Sequence, residues 1–188
     1  MELMVGGEND LIALYKEATG FTKGMMEGIQ PQQRWDPTPC DDWNVQELVN
    51  HLVRGANGMS ALLAGEENTP NHNDGDAEDF GIGVDKVLEL AKNPAILDKT
   101  FTGPRGEITG AFRFSQMFMD VLIHGWDLAE ATGQDGTLPE ELVKACLDIW
   151  EPRLDKEREP GGPFGVHVQV DESANIQERL LGLFGRTP

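Results

Sequence analysis

Residues from about Ala111 to Ala131 carry apolar side chains so densely that the pattern demands a long helix buried around most of its circumference. Within it Arg113, Gln116, Asp120, His124 and Asp127 recur at intervals of three and four, which places them on one narrow strip. Thr132-Gly133 ends the run, and the glycine can supply a left-handed cap. Two readings of the strip are open. It is the solvent face of an amphipathic helix, or it faces into a bundle, where Asp120 and His124 can chelate one ion from adjacent turns. The second reading requires a further ligand from another helix.

Upstream, residues from about Asn9 to Ile29 place Leu11, Leu14, Tyr15, Ala18, Phe21, Met25 and Ile29 on one helical face. The run Gln30 to Cys40, with Pro31, Pro37 and Pro39, breaks that helix and reads as a crossing loop pinned by Trp35. Asn44 and Glu47 form a capping-box signature for a second helix, with Val45, Leu48, Val49, Leu52, Val53, Ala56, Met59 and Leu63 as its core face. His51 falls at the edge of that face. Gly55 and Gly58 follow on the same flank, which suggests space kept open beside the imidazole.

The acidic stretch Gly65 to Asp79 has almost nothing to bury and reads as a surface connection, with His72 solvated. A short helix from about Val84 to Ala91 and a hairpin or extended loop around Gly103, Pro104 and Gly106 lead into the long helix. Pro139-Glu140-Glu141 opens another helix, expected to end before Pro152. Gly161 to Val170 reads as irregular then extended, and Asn175 to Phe184 as a last short helix. The fold class is mainly all-α: a single domain over 1–188, with a four-helix bundle core at about 9–132 and a C-terminal extension at about 133–188.

The balance of 33 Asp+Glu against 15 Lys+Arg gives a formal net charge of -18. Such a surface repels nucleic-acid phosphates and anionic lipid heads, so neither is an expected partner. No apolar stretch approaches membrane-spanning length, and Cys40 and Cys146 form neither a disulfide framework nor a metal pair. A cytoplasmic protein is expected. Asp41 and Asp42 disfavour a thiolate at Cys40, which reads as a structural thiol, and Cys146 reads as core. Trp43 and Trp126 read as packing residues.

His51 with Asp120 and His124 would supply two imidazoles and a carboxylate, leaving one position open for water or substrate. Such a set suits zinc but also nickel, iron or manganese, so ligand type alone does not settle the metal, and zinc is the first expectation. Asp127, one turn beyond His124, is a candidate for holding an imidazole in its tautomer, or a solvated acid. Arg113 is a candidate for meeting a substrate carboxylate, or a plain surface cation.

Pro37 to Val53 and Asp120 to Ala129 resemble the DinB-like superfamily, and more closely the actinobacterial metal-binding proteins related to the N-terminal domain of mycothiol-dependent maleylpyruvate isomerase. Gly162 to Gly165, Arg179 to Leu181 and Gly185 to Pro188 resemble that group's ending. The resemblance implies a four-helix bundle whose middle helices are joined by a long crossover, with one divalent metal on His51, Asp120 and His124. Relatives carry Glu or His where Asp120 stands.

It further implies a metal-dependent transferase or isomerase that uses mycothiol or a similar thiol as cosubstrate against an electrophile, in a protein that can form a homodimer. A non-catalytic, stress-related binding bundle and a metal-dependent hydrolase with Asp127 as general base are the alternatives.

Overall fold

The computed structural model describes residues 11–40, 43–68, 74–103, 106–157 and 166–188. Four helices form the bundle, α1 (Leu11–Gly28), α2 (Val45–Ala64), α3 (Ala77–Leu90) and α4 (Gly110–Thr132), and two later helices join their core. Strands β1 (Thr100–Gly103) and β2 (Gly106–Thr109) pair antiparallel between α3 and α4, so the segment around Gly103 and Gly106 is a hairpin. Helices α5 (Glu140–Glu157) and α6 (Ile176–Leu183) follow. The mainly helical class expected from the sequence is what the chain adopts.

Packing fixes the directions. Tyr15 meets Phe114, and the Thr22 hydroxyl donates to the Val121 carbonyl at 2.9 Å, so α1 and α4 run side by side in the same sense. His51 reaches Asp120 while Gly55 lies against Met117, so α2 runs opposite to α4. Gly75 packs on Val53 and Gly83 on Ala56, which makes α3 parallel to α2. Two parallel neighbours joined in sequence need a return connection along the length of the bundle. The chain between α2 and α3, where the long crossover is expected, includes residues 69–73, which lie outside the described residues.

Local chemistry accounts for the boundaries. Asn44 and Glu47 form the reciprocal capping box on α2, with bonds of 3.0 and 2.9 Å, and Gly65 closes that helix in the left-handed conformation. Helix α3 begins seven residues earlier than its apolar pattern suggests. The Asp76 carboxylate caps it by accepting from the Glu78 and Asp79 amides, and Phe80 is wholly buried, so part of the acidic stretch is helix. His72 lies outside the described residues, as does the 161–165 segment.

Helix α5 continues through Pro152 instead of ending before it. Trp150 and Leu154, on either side of the proline, are both 0% exposed, and this burial outweighs the single bond Pro152 cannot make. The Trp150 indole also donates to the Ser115 carbonyl at 3.2 Å. Trp35 is 70% exposed and pins nothing. The loop is held by backbone bonds instead, Val45 N–H to the Asp36 carbonyl and Gln46 N–H to the Arg34 carbonyl. Among the described residues no helix is long and apolar enough to cross a membrane.

One glycine is fixed by contact. A Cβ at Gly110, the first residue of α4, would sit 1.9 Å from the Ile96 carbonyl oxygen, and backbone cannot swing aside as a side chain can. Gly110→Ala is expected to lower unfolding free energy by about 1–3 kcal/mol, the usual cost of overpacking, measured by denaturant titration. An unchanged midpoint would show that the turn at Ile96 shifts freely against α4.

Candidate metal centre

The strip of α4 faces inward over its C-terminal half. His124 is buried and Asp127 is 0% exposed, while Asp120 and Gln116 are half-buried. Helix α2 lies antiparallel across it and delivers His51, whose Nε2 stands 3.3 Å from Asp120 Oδ2. His124 Nε2 lies 3.6 Å from Asp120 Oδ1. One ligand-type atom from each of the three residues falls within 4.8 Å of the others. The side chains of His51 and Asp120 each retain 29% exposure, so the cluster is reachable from solvent.

The donor set suits a divalent ion. Two imidazole nitrogens and a carboxylate oxygen are the ligands a borderline cation takes, and three protein ligands leave an open position. Burial pushes the Asp120 carboxyl up, yet the hydrogen bond from His51 and the charges of His124, His51 and Arg113 together hold it below the usual carboxylate range. It is therefore anionic and able to ligate at neutral pH.

Each imidazole is held from behind. The Nδ1–H of His124 donates to Asp127 Oδ2 at 2.8 Å, which leaves the Nε2 lone pair turned toward Asp120. Trp43 stacks on His51 with centroids 4.4 Å apart and planes 27° from parallel, and lies 5.5 Å from the His124 ring. Trp43 thus orients a site residue in addition to packing. Trp126, 4% exposed, belongs to the core.

Sequence reading assigned no role to Arg186. Its Nε donates to Asp127 Oδ1 at 3.0 Å and its terminal nitrogen to Oδ2 at 2.6 Å, a two-point clamp on a fully buried carboxylate. Burial pushes Asp127 up, but the bonds from His124 and Arg186 hold it below the usual range. The same guanidinium also donates to the Phe184 carbonyl at 2.9 Å. Both oxygens of Asp127 are engaged and its side chain is 0% exposed, so it is placed to orient His124 from inside the core and not to meet a water from solvent.

Two further expectations change. Space beside His51 is not left open by the glycines: a Cβ at Gly55 would meet Met117 at 3.4 Å, and one at Gly58 would meet Asn68 at 3.2 Å, so they admit neighbours. Cys40, expected as a buried structural thiol, is half-buried. Cys146 is wholly buried, and burial pushes its thiol up, as suits a core residue. A hollow of about 440 Å³ bordered by Lys23, Glu27, Asp76 and Asp85 shares no residue with the triad and gathers no imidazole or thiol.

Comparison with known proteins places relatives beside this geometry. Residues 15–96, which span α1 to α3 and include His51, match the family described as the mycothiol maleylpyruvate isomerase N-terminal domain. An uncharacterized protein of Mycobacterium tuberculosis, found in two strains, is 28% identical over 182 residues, covering 95% of this chain and 98% of its own length. Two crystal structures of mycothiol-dependent maleylpyruvate isomerase, one of a histidine-to-alanine mutant, align at a TM-score of 0.49 with 15% and 14% identity. The alignment covers 72% of this chain and 66% of the isomerase, so the chain spans just under two thirds of that enzyme's length.

Proposed function

We propose that this chain, related through residues 15–96 to the mycothiol maleylpyruvate isomerase N-terminal domain, is a divalent-metal protein that activates a low-molecular-weight thiol of the mycothiol type for transfer to, or isomerisation of, an electrophile. His51, Asp120 and His124 hold the ion, zinc foremost. When bound, it supplies Lewis acidity that lowers the pKa of a thiol reaching the open position.

The chain's own residues do the rest. Asp127 keeps His124 in the tautomer whose Nε2 is a ligand, Arg186 keeps Asp127 ionised inside the core, and Trp43 fixes the plane of His51. The carrying observation is the convergence of three ligand-type atoms within 4.8 Å, one of them with a buried carboxylate behind it. The burial of Asp127 and its bonds to His124 and Arg186 weigh against the hydrolase alternative.

Thiolate formation tests this reading directly. Zinc-loaded protein mixed with mycothiol, or with N-acetylcysteine as a simpler probe, is expected to develop ultraviolet thiolate absorbance at neutral pH, in proportion to protein. His51→Ala is expected to develop none. Absence of thiolate with both thiols, together with no thiol-stimulated consumption of electrophiles, would overturn the proposal.

A further inference from the structure

The polar strip of α4 continues past the triad toward the hairpin end of the bundle. One and two turns before Asp120 it carries Gln116 and Arg113, both half-buried. Tyr15 of α1 packs there, 0% exposed, its ring edge-on to Phe114 with centroids 5.8 Å apart. The Tyr15 hydroxyl and Arg113 Nε are both shut off from solvent, and neither has a hydrogen-bond partner among the described residues. Asp120 does not neutralise them by contact, since its ion pairs are with His51 and His124.

Interior polar atoms are paired with few exceptions, so a buried hydroxyl and a buried guanidinium Nε that both lack a partner stand out. Burial pushes the Tyr15 hydroxyl above its ordinary value and pulls Arg113 below its own, while each feels the other and both feel Asp120. The orphan donors therefore share one neighbourhood with the candidate metal centre. Their packing role is filled already by the Tyr15 ring and the stem of Arg113. What is missing is an acceptor with negative charge.

We infer that Tyr15 and Arg113 receive a carboxylate of the electrophilic substrate, seating its anionic end toward the hairpin and the rest of the molecule beside the thiol position. Two donors and one positive charge match a monoanion with two oxygens. A phosphate dianion would bring a second charge close to the Asp120 carboxylate. The identity of the ligand as the electrophile rests on the thiol-transfer reading. The anion site itself rests on the two unpaired donors.

Tyr15 is the chain's one tyrosine, so protein labelled with 13C-tyrosine reports this site through a single ring. The test uses metal-free protein, in which no ion can hold the probe, and compares acetate with its neutral isostere acetamide. Acetate is expected to shift the Tyr15 resonances saturably at concentrations up to roughly 0.1 M, as suits a weak single-site contact, and acetamide to leave them unmoved. Arg113→Gln is expected to weaken acetate about tenfold, as loss of a charge-assisted bond implies, with Arg113→Lys intermediate. Arg113→Met is expected to raise the thermal midpoint without ligand, because it removes a buried donor that has no partner; a residue kept for structure would lower it.

No acetate response, an equal response to acetamide, or undiminished binding in Arg113→Gln would overturn the anion site. A stronger response to inorganic phosphate would overturn the carboxylate assignment. Zinc-dependent thiolate formation with no acetate response sinks this inference alone. An Arg113-dependent acetate response without any thiolate sinks the thiol-transfer reading and leaves the anion site standing.

Discussion

Replacing His124 by alanine is expected to abolish stoichiometric zinc uptake while leaving most of the helicity intact. His124 contributes one of three ligand-type atoms, and it is the one whose orientation is fixed by a buried carboxylate. Two ligands from separate helices do not make a site of useful affinity. The fold does not depend on the imidazole in the same degree, because α4 is anchored by Phe114, Phe118, Val121, Leu122 and Leu128, each 0% exposed. Elemental analysis and circular dichroism of the variant check both halves. Retained stoichiometric zinc would remove His124 from the ligand set.

The second large effect lies behind the ligand. Asp127→Ala strands the Arg186 guanidinium, whose side chain is 12% exposed, without its counter-ion, and removes the acceptor for His124. Leaving one partner of a buried ion pair uncompensated costs about 3–5 kcal/mol, which for many domains is a large part of the whole stability. Loss of the group that orients the imidazole should also weaken zinc by roughly 10–100-fold. The double variant Asp127→Ala with Arg186→Met is expected to recover much of the stability and none of the zinc affinity. Denaturant titration and metal competition separate the two effects. Full recovery of zinc binding in the double variant would show that Asp127 acts through Arg186 alone and not on His124.

The parts of this arrangement legible in the sequence were those written in local periodicity. The capping box at Asn44, the five polar residues spaced along one face of α4, and the edge position of His51 on α2 follow from residue type and helical spacing. Local pattern did not decide whether the α4 strip faced water or the interior, because both readings give the same spacing. The antiparallel placement of α2 across α4 decides it, by bringing His51 to Asp120 across 69 positions.

Arg186 was not legible as a site residue because its partner is 59 positions away and the C-terminal segment has no periodic signal. The start of α3 was hidden for a different reason. Asp76, Glu78 and Asp79 look like solvated acid, yet one is a cap and the others lie in the first turn, where negative charge favours the helix. Pro152 misled through a rule about backbone bonds that packing of Trp150 and Leu154 overrides. Residue type marks Trp43 only as a packing residue, because its stacking on His51 depends on a loop conformation that no spacing encodes.

The coordination shell of the zinc-loaded protein tests the central claim most directly, and X-ray absorption at the zinc edge reads it. One ion per chain is expected, surrounded by nitrogen and oxygen at about 2.0–2.2 Å, with the multiple-scattering signature of two imidazoles and no sulfur. Adding the thiol should then introduce one sulfur at about 2.3 Å, in the open position. A sulfur ligand before thiol is added, a single imidazole, or failure to take up zinc in stoichiometric amount would contradict the assignment of His51, Asp120 and His124 as the metal centre.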